Sequence, residues 1–518
     1  MFINPFGGNK TIVKRIIATL LSILITWQGW GLNPAQAVGN PTDIQPYLER
    51  VKDRVTEYEL DNGMTFVILP DSEAPVISFV TYVDVGSANE ENTKTGVAHF
   101  LEHLAFKGTS KIGTTNYEEE QEVLQELDQV HQQLQTAQNE GDEEKIAELE
   151  ASLEELKAEA EQYVKPNEFG QIVQREGGVG LNAATAADYT VYFSRFPANK
   201  LELWMSLESE RFLDPVFRDF FSEQQVVLEE RRVRTDNSPV GKMVENFLGT
   251  AFTTHPYQHP VIGYEEDIRS TTRQDIQDFF DLYYVPQKLT IAIVGDVDPE
   301  EVKELADVYF GRFPSRPSPP EVTTEEPPQT EVREVDVTLP SQPWYFEGYH
   351  RPAIDHEDHV VYEVIGRLLS AGRTSRLYQS LVEEKQVALS AQGLSSFPGN
   401  KFPNLVLFYA LTAPNTSLEE VSEALTVEIE KLKTELVSEE ELERVKTQLQ
   451  ANLLRDLDSN QGMARQLAEY EGKTGDWENL FAELEAIANV TVEDIQRVAE
   501  DTFTENNRTI GRILSENN

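Results

Sequence analysis

The chain has no cysteine. Disulfide staples and thiolate metal sites are therefore both excluded, and any zinc must be held by histidine and carboxylate side chains. Histidine is itself scarce, with eight in 518 residues, and the 44 Lys and Arg are outnumbered by 90 Asp and Glu, a formal net charge of −46. Such acidity argues against nucleic acid and against anionic membrane surfaces as partners. It leaves two readings open: attraction of basic peptides, or simple solubility of an exported protein. Long apolar runs are also lacking. The most pronounced, Ile16 to Trp27, is short for a membrane span. It follows Lys10, Lys14 and Arg15 and precedes Ala35-Gln36-Ala37, the order of an export signal with a small-x-small cleavage site. Residues 1–37 are therefore expected to be removed, leaving 518 − 37 = 481 residues that are periplasmic or secreted and not stably inserted in a membrane.

Against this background one pentapeptide stands out, His99-Phe100-Leu101-Glu102-His103. On a helix, residues i and i+4 share a face, so both imidazoles can address one cation while Glu102 reaches its water. The order inverts the commoner His-Glu-x-x-His, but it supplies the same parts: two ligands, a general base and an open coordination position. Val97, Phe100, Leu101, Leu104 and Ala105 give the helix an apolar face, Thr95 is placed to cap its start and Gly108 to end it. The alternative is a surface helix that happens to carry two histidines.

The fold class expected is α+β. Asp61-Asn62-Gly63 between two short apolar runs signals a hairpin, and Val76 to Val85 a further strand leading to the histidine helix. From Tyr117 to Val164 the pattern changes. Val123, Leu127, Val130, Leu134 and Ala137, then Ile146, Leu149, Leu153, Leu156 and Ala160, recur at spacings of three and four around Asn139-Glu140-Gly141-Asp142, which predicts an inserted antiparallel pair of helices. Sixteen acids against two bases between Glu118 and Glu161 make its outer face strongly negative. This insertion is read as peripheral, with docking of a partner as the alternative; His131 within it is read as structural. Residues 314–332, rich in Pro, Thr and Glu, form a linker. It divides a domain at 45–313 from one at 333–518, and the two resemble each other: Asp275-Ile276-Gln277 matches Asp494-Ile495-Gln496, and Thr290-Ile291 matches Thr509-Ile510, both 219 residues apart. The chain thus holds two homologous domains, only the first with the His-x-x-Glu-His motif.

Two histidines need a third ligand. In Glu223-Gln-Gln-Val-Val-Leu-Glu-Glu230 the outer glutamates are seven apart and share a helical face, a pattern equally at home on an ordinary charged helix. Together with His-Phe-Leu-Glu-His-Leu-Ala-Phe-Lys-Gly-Thr (99–109), Gly-Gly-Val-Gly-Leu-Asn-Ala-Ala-Thr (177–185), Tyr192 beyond it, and Gly-Arg-Thr-Ser-Arg-Leu (372–377), it resembles the pitrilysin/insulinase family of zinc metallopeptidases, in the branch of the mitochondrial processing peptidase and its bacterial relatives. The resemblance implies one zinc per chain on His99, His103 and Glu230, with Glu102 as general base and Glu223 supporting the site. It further implies that the strand at Asn182 and Ala183 pairs with an extended peptide substrate, and that Phe106 lines the pocket after the scissile bond, unless it is merely a core ring.

Two departures from the family pattern matter. Between His103 and Glu230 lie 126 residues, where the family leaves roughly 75; the helical insertion accounts for the surplus. Where substrate-binding second halves carry an Arg and, seven residues on, a Tyr, this chain has Val382 and Leu389. The expectation is a catalytic subunit whose homologous partner supplies those groups in a heterodimer, or failing that a homodimer. The alternative is a noncatalytic structural or assembly subunit that keeps the fold. A second metal site at His350, His356 and His359 with Asp355 and Asp358 is weighed and disfavoured by the turn-prone run that carries it. His255 and His259 are parted by Pro256 and Pro260, which break any helix that would align them.

Overall fold

The computed structural model describes residues 45–516; the expected export signal lies outside them. Among the described residues, eleven strands form two sheets. The first contains β1 (Thr56–Glu59), β2 (Thr65–Pro70), β3 (Val76–Val83), β4 (Val179–Thr185), β5 (Thr190–Pro197) and β6 (Leu289–Gly295), in spatial order β1-β2-β6-β3-β5-β4. The expected hairpin is β1–β2, closed by Gly63 at φ +92°, a left-handed conformation that favours glycine. The second sheet contains β7 (Arg333–Leu339), β8 (Trp344–Arg351), β9 (Ala388–Phe397), β10 (Asn404–Thr412) and β11 (Arg508–Ser515), in order β7-β11-β8-β10-β9.

With β1 set aside, the two orders correspond strand for strand. β2 runs parallel to β6 as β7 does to β11, and the other neighbours are antiparallel in both sheets. The helices ahead of β6 and β11 also match. Thr272 caps Arg273–Tyr283 in a reciprocal box with Asp275, and Thr491 caps Val492–Thr502 with Asp494. Two orphan N–H groups are satisfied at each start, and Ile276 and Ile495 are fully buried one residue further on. The protein is therefore α+β with two homologous domains, as the 219-residue offset predicts.

The inserted hairpin is present as well. Its helices are Tyr117–Glu140 and Glu143–Ala160, turned by Gly141 in the left-handed region, with Asp142 accepting the Lys145 N–H to cap the second. Leu124, Leu127, Leu134, Leu149, Leu153 and Leu156 bury one another along the seam.

Each sheet is covered on its far face by a helix from the other domain. Helix Asn460–Thr474 of the second domain lies across β3 and β6, and helix Pro239–Ala251 of the first lies across β11 and β7. This explains why β6 is buried along its whole length, whereas a sheet with one wet face would alternate. Close approach needs small residues. Gly472 sits where a Cβ would meet the Tyr82 ring at 2.3 Å; across the molecule, Gly348 and Gly511 leave room for Phe247. No helix among the described residues is long and apolar enough to cross a membrane.

Residues 314–330 form no helix or strand, yet they are fastened down. Glu326 accepts N–H bonds from Thr253, Thr254 and His255 at 2.9, 2.9 and 3.1 Å. Burial works against its charged form, but these N–H groups prevail and hold its pKa at about 2.

Ala ordinarily stabilises a helix over Gly by about 1 kcal/mol. Gly249 has nothing near its absent Cβ, so Gly249→Ala should raise stability in urea unfolding, whereas Gly472→Ala should lower it. A stabilised Gly472→Ala would show that the helix does not press on Tyr82. Glu326→Gln should cost about 1–3 kcal/mol at neutral pH. A carboxyl depressed in the folded state stabilises above its unfolded pKa and loses that effect as pH falls through the folded value. The difference between wild type and Glu326→Gln should therefore shrink from pH 4.5 downward toward about 2.

Candidate metal centre

The histidine helix, α1, spans Val97–Leu104 and follows Gly96 at φ +88°. Thr95 does not cap it. Its hydroxyl turns to Asp267, and the buried carboxylate of Glu90 accepts the N–H groups of Gly96 and Ala98 at 2.8 Å each. The left-handed glycine redirects the chain, so a residue six positions upstream reaches the helix start better than the adjacent threonine. Nor does Gly108 end the helix: the C-cap is Ala105, and Gly108, at φ +101°, belongs to the loop beyond. Val97, Ala98, Phe100, Leu101 and Leu104 are buried in the first domain's core, which fixes the rotation of α1.

Against α1 lies a second helix, α2 (Phe220–Arg231), held by buried Phe220, Val227 and Leu228. The contact brings three donors together. His99, His103 and Glu230 offer ligand atoms within 4.8 Å of one another, and among the described residues they are the only such group. Glu230 Oε2 lies 3.3 Å from His103 Nε2 and 3.9 Å from His99 Nε2. Tetrahedral zinc at its usual bond lengths sets donors roughly 3.3–3.6 Å apart. Glu230 therefore stands near that spacing from both imidazole nitrogens, and closing the remaining separation from within 4.8 Å would let all three hold that ion with a fourth position open.

The surroundings prepare the donors. Burial, with His103 beside it, pushes His99 down to about 4, so its ring is a neutral ligand. Burial also opposes charge on His103, but Glu223 and Glu230 outweigh it and raise the ring to about 9; a metal must displace that proton. Burial likewise works against charge on Glu230, yet His103, His99 and Arg234 bring it down to about 2. Arg234 Nη2 meets its other oxygen at 2.7 Å. Glu223 faces His103 Nδ1 at 3.3 Å and accepts from Lys107 Nζ, so the tautomer of His103 has a partner. The corresponding nitrogen of His99 is buried without one.

Glu102 is not one of the three donors; its carboxylate lies near His103 and Glu230 and accepts from Thr185 Oγ1 at 2.7 Å. Burial raises its pKa, while the threonine works the other way. Thr185 ends β4, which among the described residues pairs only with β5 and so lies at the edge of the sheet. On β4, Asn182 is exposed and Ala183 buried. Phe106 is half-buried against Phe169, Tyr192 and the guanidinium of Arg211, both core ring and partly open wall.

The other histidines do not assemble. His350 contacts the Ala251 carbonyl, His359 lies against Arg351 and Glu483, and His356 faces Asp358. His255 accepts the Tyr257 N–H, His259 contacts Asn92, and His131 packs edge-on to Phe221. Three partners of the site have no role in the sequence reading: Thr185, Lys107 and Arg234. The first two lie inside the motif strings 177–185 and 99–109, and Arg234 stands one turn after Glu230.

Comparison with known proteins places the chain in a family. Residues 66–130 match the family model described as Insulinase (Peptidase family M16), and residues 270–449 the model described as Peptidase M16 inactive domain. The chain is 30% identical to the zinc protease PqqE of Helicobacter pylori over 96% of its own length and 98% of that protein's. It is 24% identical to a probable mitochondrial-processing peptidase subunit beta of Arabidopsis thaliana, over 84% and 74% of the two lengths. A crystal structure of a Helicobacter pylori protease superposes with a TM-score of 0.75 at 29% identity, covering 89% of this chain and 99% of that one. The fold is that of a metallopeptidase class whose named relatives are zinc proteases. The chain belongs to the M16 (insulinase/pitrilysin) family.

Proposed function

We propose that the chain is an exported zinc-dependent endopeptidase that cuts peptides or unfolded segments. The observation that carries this reading is the convergence of His99, His103 and Glu230, from helices far apart in sequence, on one point. One zinc ion bound there would polarise a carbonyl and lower the pKa of water. Glu102 accepts the proton of the attacking water and returns it to the leaving amine, a role suited to a carboxylate whose pKa burial raises. Glu223 and Lys107 hold the His103 ring, and Arg234 holds Glu230. The β4 edge at Asn182 and Ala183 pairs with an extended substrate by adding a strand, a mode that reads backbone more than side chains. Phe106 lines the pocket beyond the scissile bond. The stretch matched by the inactive-domain model, 270–449, contains none of the four site residues, which favours this reading over a noncatalytic assembly subunit.

Glu102→Gln should keep about one equivalent of zinc and lose at least a hundredfold in peptidase kcat, while Glu230→Gln should lose zinc as well. Full activity in purified Glu102→Gln would sink the assignment.

Val382 packs partly against the second domain's core, and Leu389 is 49% exposed on β9, an edge strand. Neither side chain can donate a hydrogen bond to a peptide carbonyl. The reading is therefore of a catalytic subunit whose homologous partner supplies an Arg and a Tyr. The isolated chain should cut peptides weakly and gain at least tenfold on mixing with that partner; strong activity from a monomer in gel filtration would refute the pairing.

A further inference from the structure

The acidic hairpin does more than extend from the first domain. Between its base and the first turns of α2 lies a cavity of about 470 Å³, within the size range of small-ligand sites, roughly 300–1,000 Å³. Its walls are largely apolar, with Leu124 and Leu127 on one hairpin helix, Ala160 on the other, and Phe220 and Phe221 on α2.

The rim is negative in effect. Each basic residue there already has a carboxylate: Arg218 has Glu120, Arg273 has Asp128 and Lys157 has Glu154. Glu161 and Asp219 are left over, Asp219 sharing Lys107 at 3.7 Å with Glu223. The aromatic wall already carries a cation, since Lys157 Nζ stands 4.7 Å above the Phe221 ring. An apolar body matches the walls, and one positive charge matches Glu161 and Asp219 on the rim, the Phe221 face being taken by Lys157.

The same cavity touches the link between the hairpin and the metal centre. Arg218 is 1% exposed and Glu120 is not exposed at all. The guanidinium binds Glu120 through Nε at 2.7 Å and donates to the carbonyls of Lys107, Thr109 and Ile112 at 2.7, 2.8 and 3.0 Å. It therefore shapes the loop following α1, and that loop's Lys107 holds Glu223 against His103. A ligand resting on Arg218 and Asp219 bears on this chain of contacts.

We propose that the cavity is an effector site for a lipophilic cation, an aromatic or apolar body bearing one ammonium group, whose occupancy alters the metal centre through Arg218 and Lys107. Binding stands independently of the peptidase reading; its effect on turnover rests on that reading. The test is calorimetric titration of the full mature chain with phenylbutylamine, with phenylbutanol and phenylbutyrate as controls of the same skeleton. The amine should bind roughly tenfold tighter than the alcohol, and the carboxylate more weakly still. Leu127→Trp, which fills the cavity, should abolish binding, and Leu127→Met should retain it. Where Leu127→Trp does not fold by circular dichroism, Ala160→Phe fills the space from the opposite helix. Equal binding of all three compounds, no binding of the amine, or undiminished binding to a folded filled variant would overturn the site. In a chain active without ligand, saturating amine should change kcat/KM at least twofold; an unchanged value with binding intact would overturn the effector role. A chain inactive throughout would count against the peptidase reading while leaving the binding result standing.

Discussion

Two imidazoles and a carboxylate can share one cation only if α1 and α2, whose ligands are separated by 126 residues of chain, meet at a fixed rotation and spacing. The contact is made by buried side chains on both helices, Phe100 stacking on Phe220 at a ring separation of 4.9 Å. Turning either helix by one residue would carry its donor away from the shared point. Around this contact, β4 stands on one side of α1, the loop 107–113 is pinned by Arg218, and the sheet beneath is covered on both faces. A molecule without disulfides obtains the necessary rigidity from close packing.

Charge is the second constraint. Three carboxylates, Glu102, Glu223 and Glu230, gather in a partly buried place within a chain of net charge −46, and unassigned they would repel one another. Each instead has its own donor: Thr185 for Glu102, Lys107 for Glu223 and Arg234 for Glu230. Positive groups are scarce in this protein, and two of them are spent here. Such fixed partners hold the carboxylates before any ligand arrives, which is the condition for electrostatic preorganisation.

The reciprocal cover of the two sheets gives the duplication a mechanical meaning. Each domain lends a helix to the other, and glycines at the crossings set how closely those helices approach. Neither domain completes its packing alone, since the first domain's sheet is covered by helix Asn460–Thr474 of the second. The linker is part of the same assembly, since Glu326 secures it to the residues that follow helix Pro239–Ala251.

Much of this was legible from residue order because it is local. Helical spacing brings His99 and His103 together, the paired three-four spacings define the hairpin, and a matched offset reveals the repeated strand and helix. Even Glu230 is visible as a candidate, through its separation from Glu223. Three-dimensional facts were not legible. The cap of α1 comes from Glu90 and not from neighbouring Thr95, because a left-handed Gly96 turns the chain. The partners Thr185, Lys107 and Arg234 are ordinary residue types until the fold brings them within hydrogen-bond reach. By itself the sequence determined the elements, their duplication and the donor types, all of which depend on periodicity and composition. Tertiary structure alone decided which carboxylate meets the imidazoles, which cations balance it, and that the hairpin's Glu120 reaches the metal helix's loop through Arg218, because those relations depend on distances that no spacing along the chain encodes.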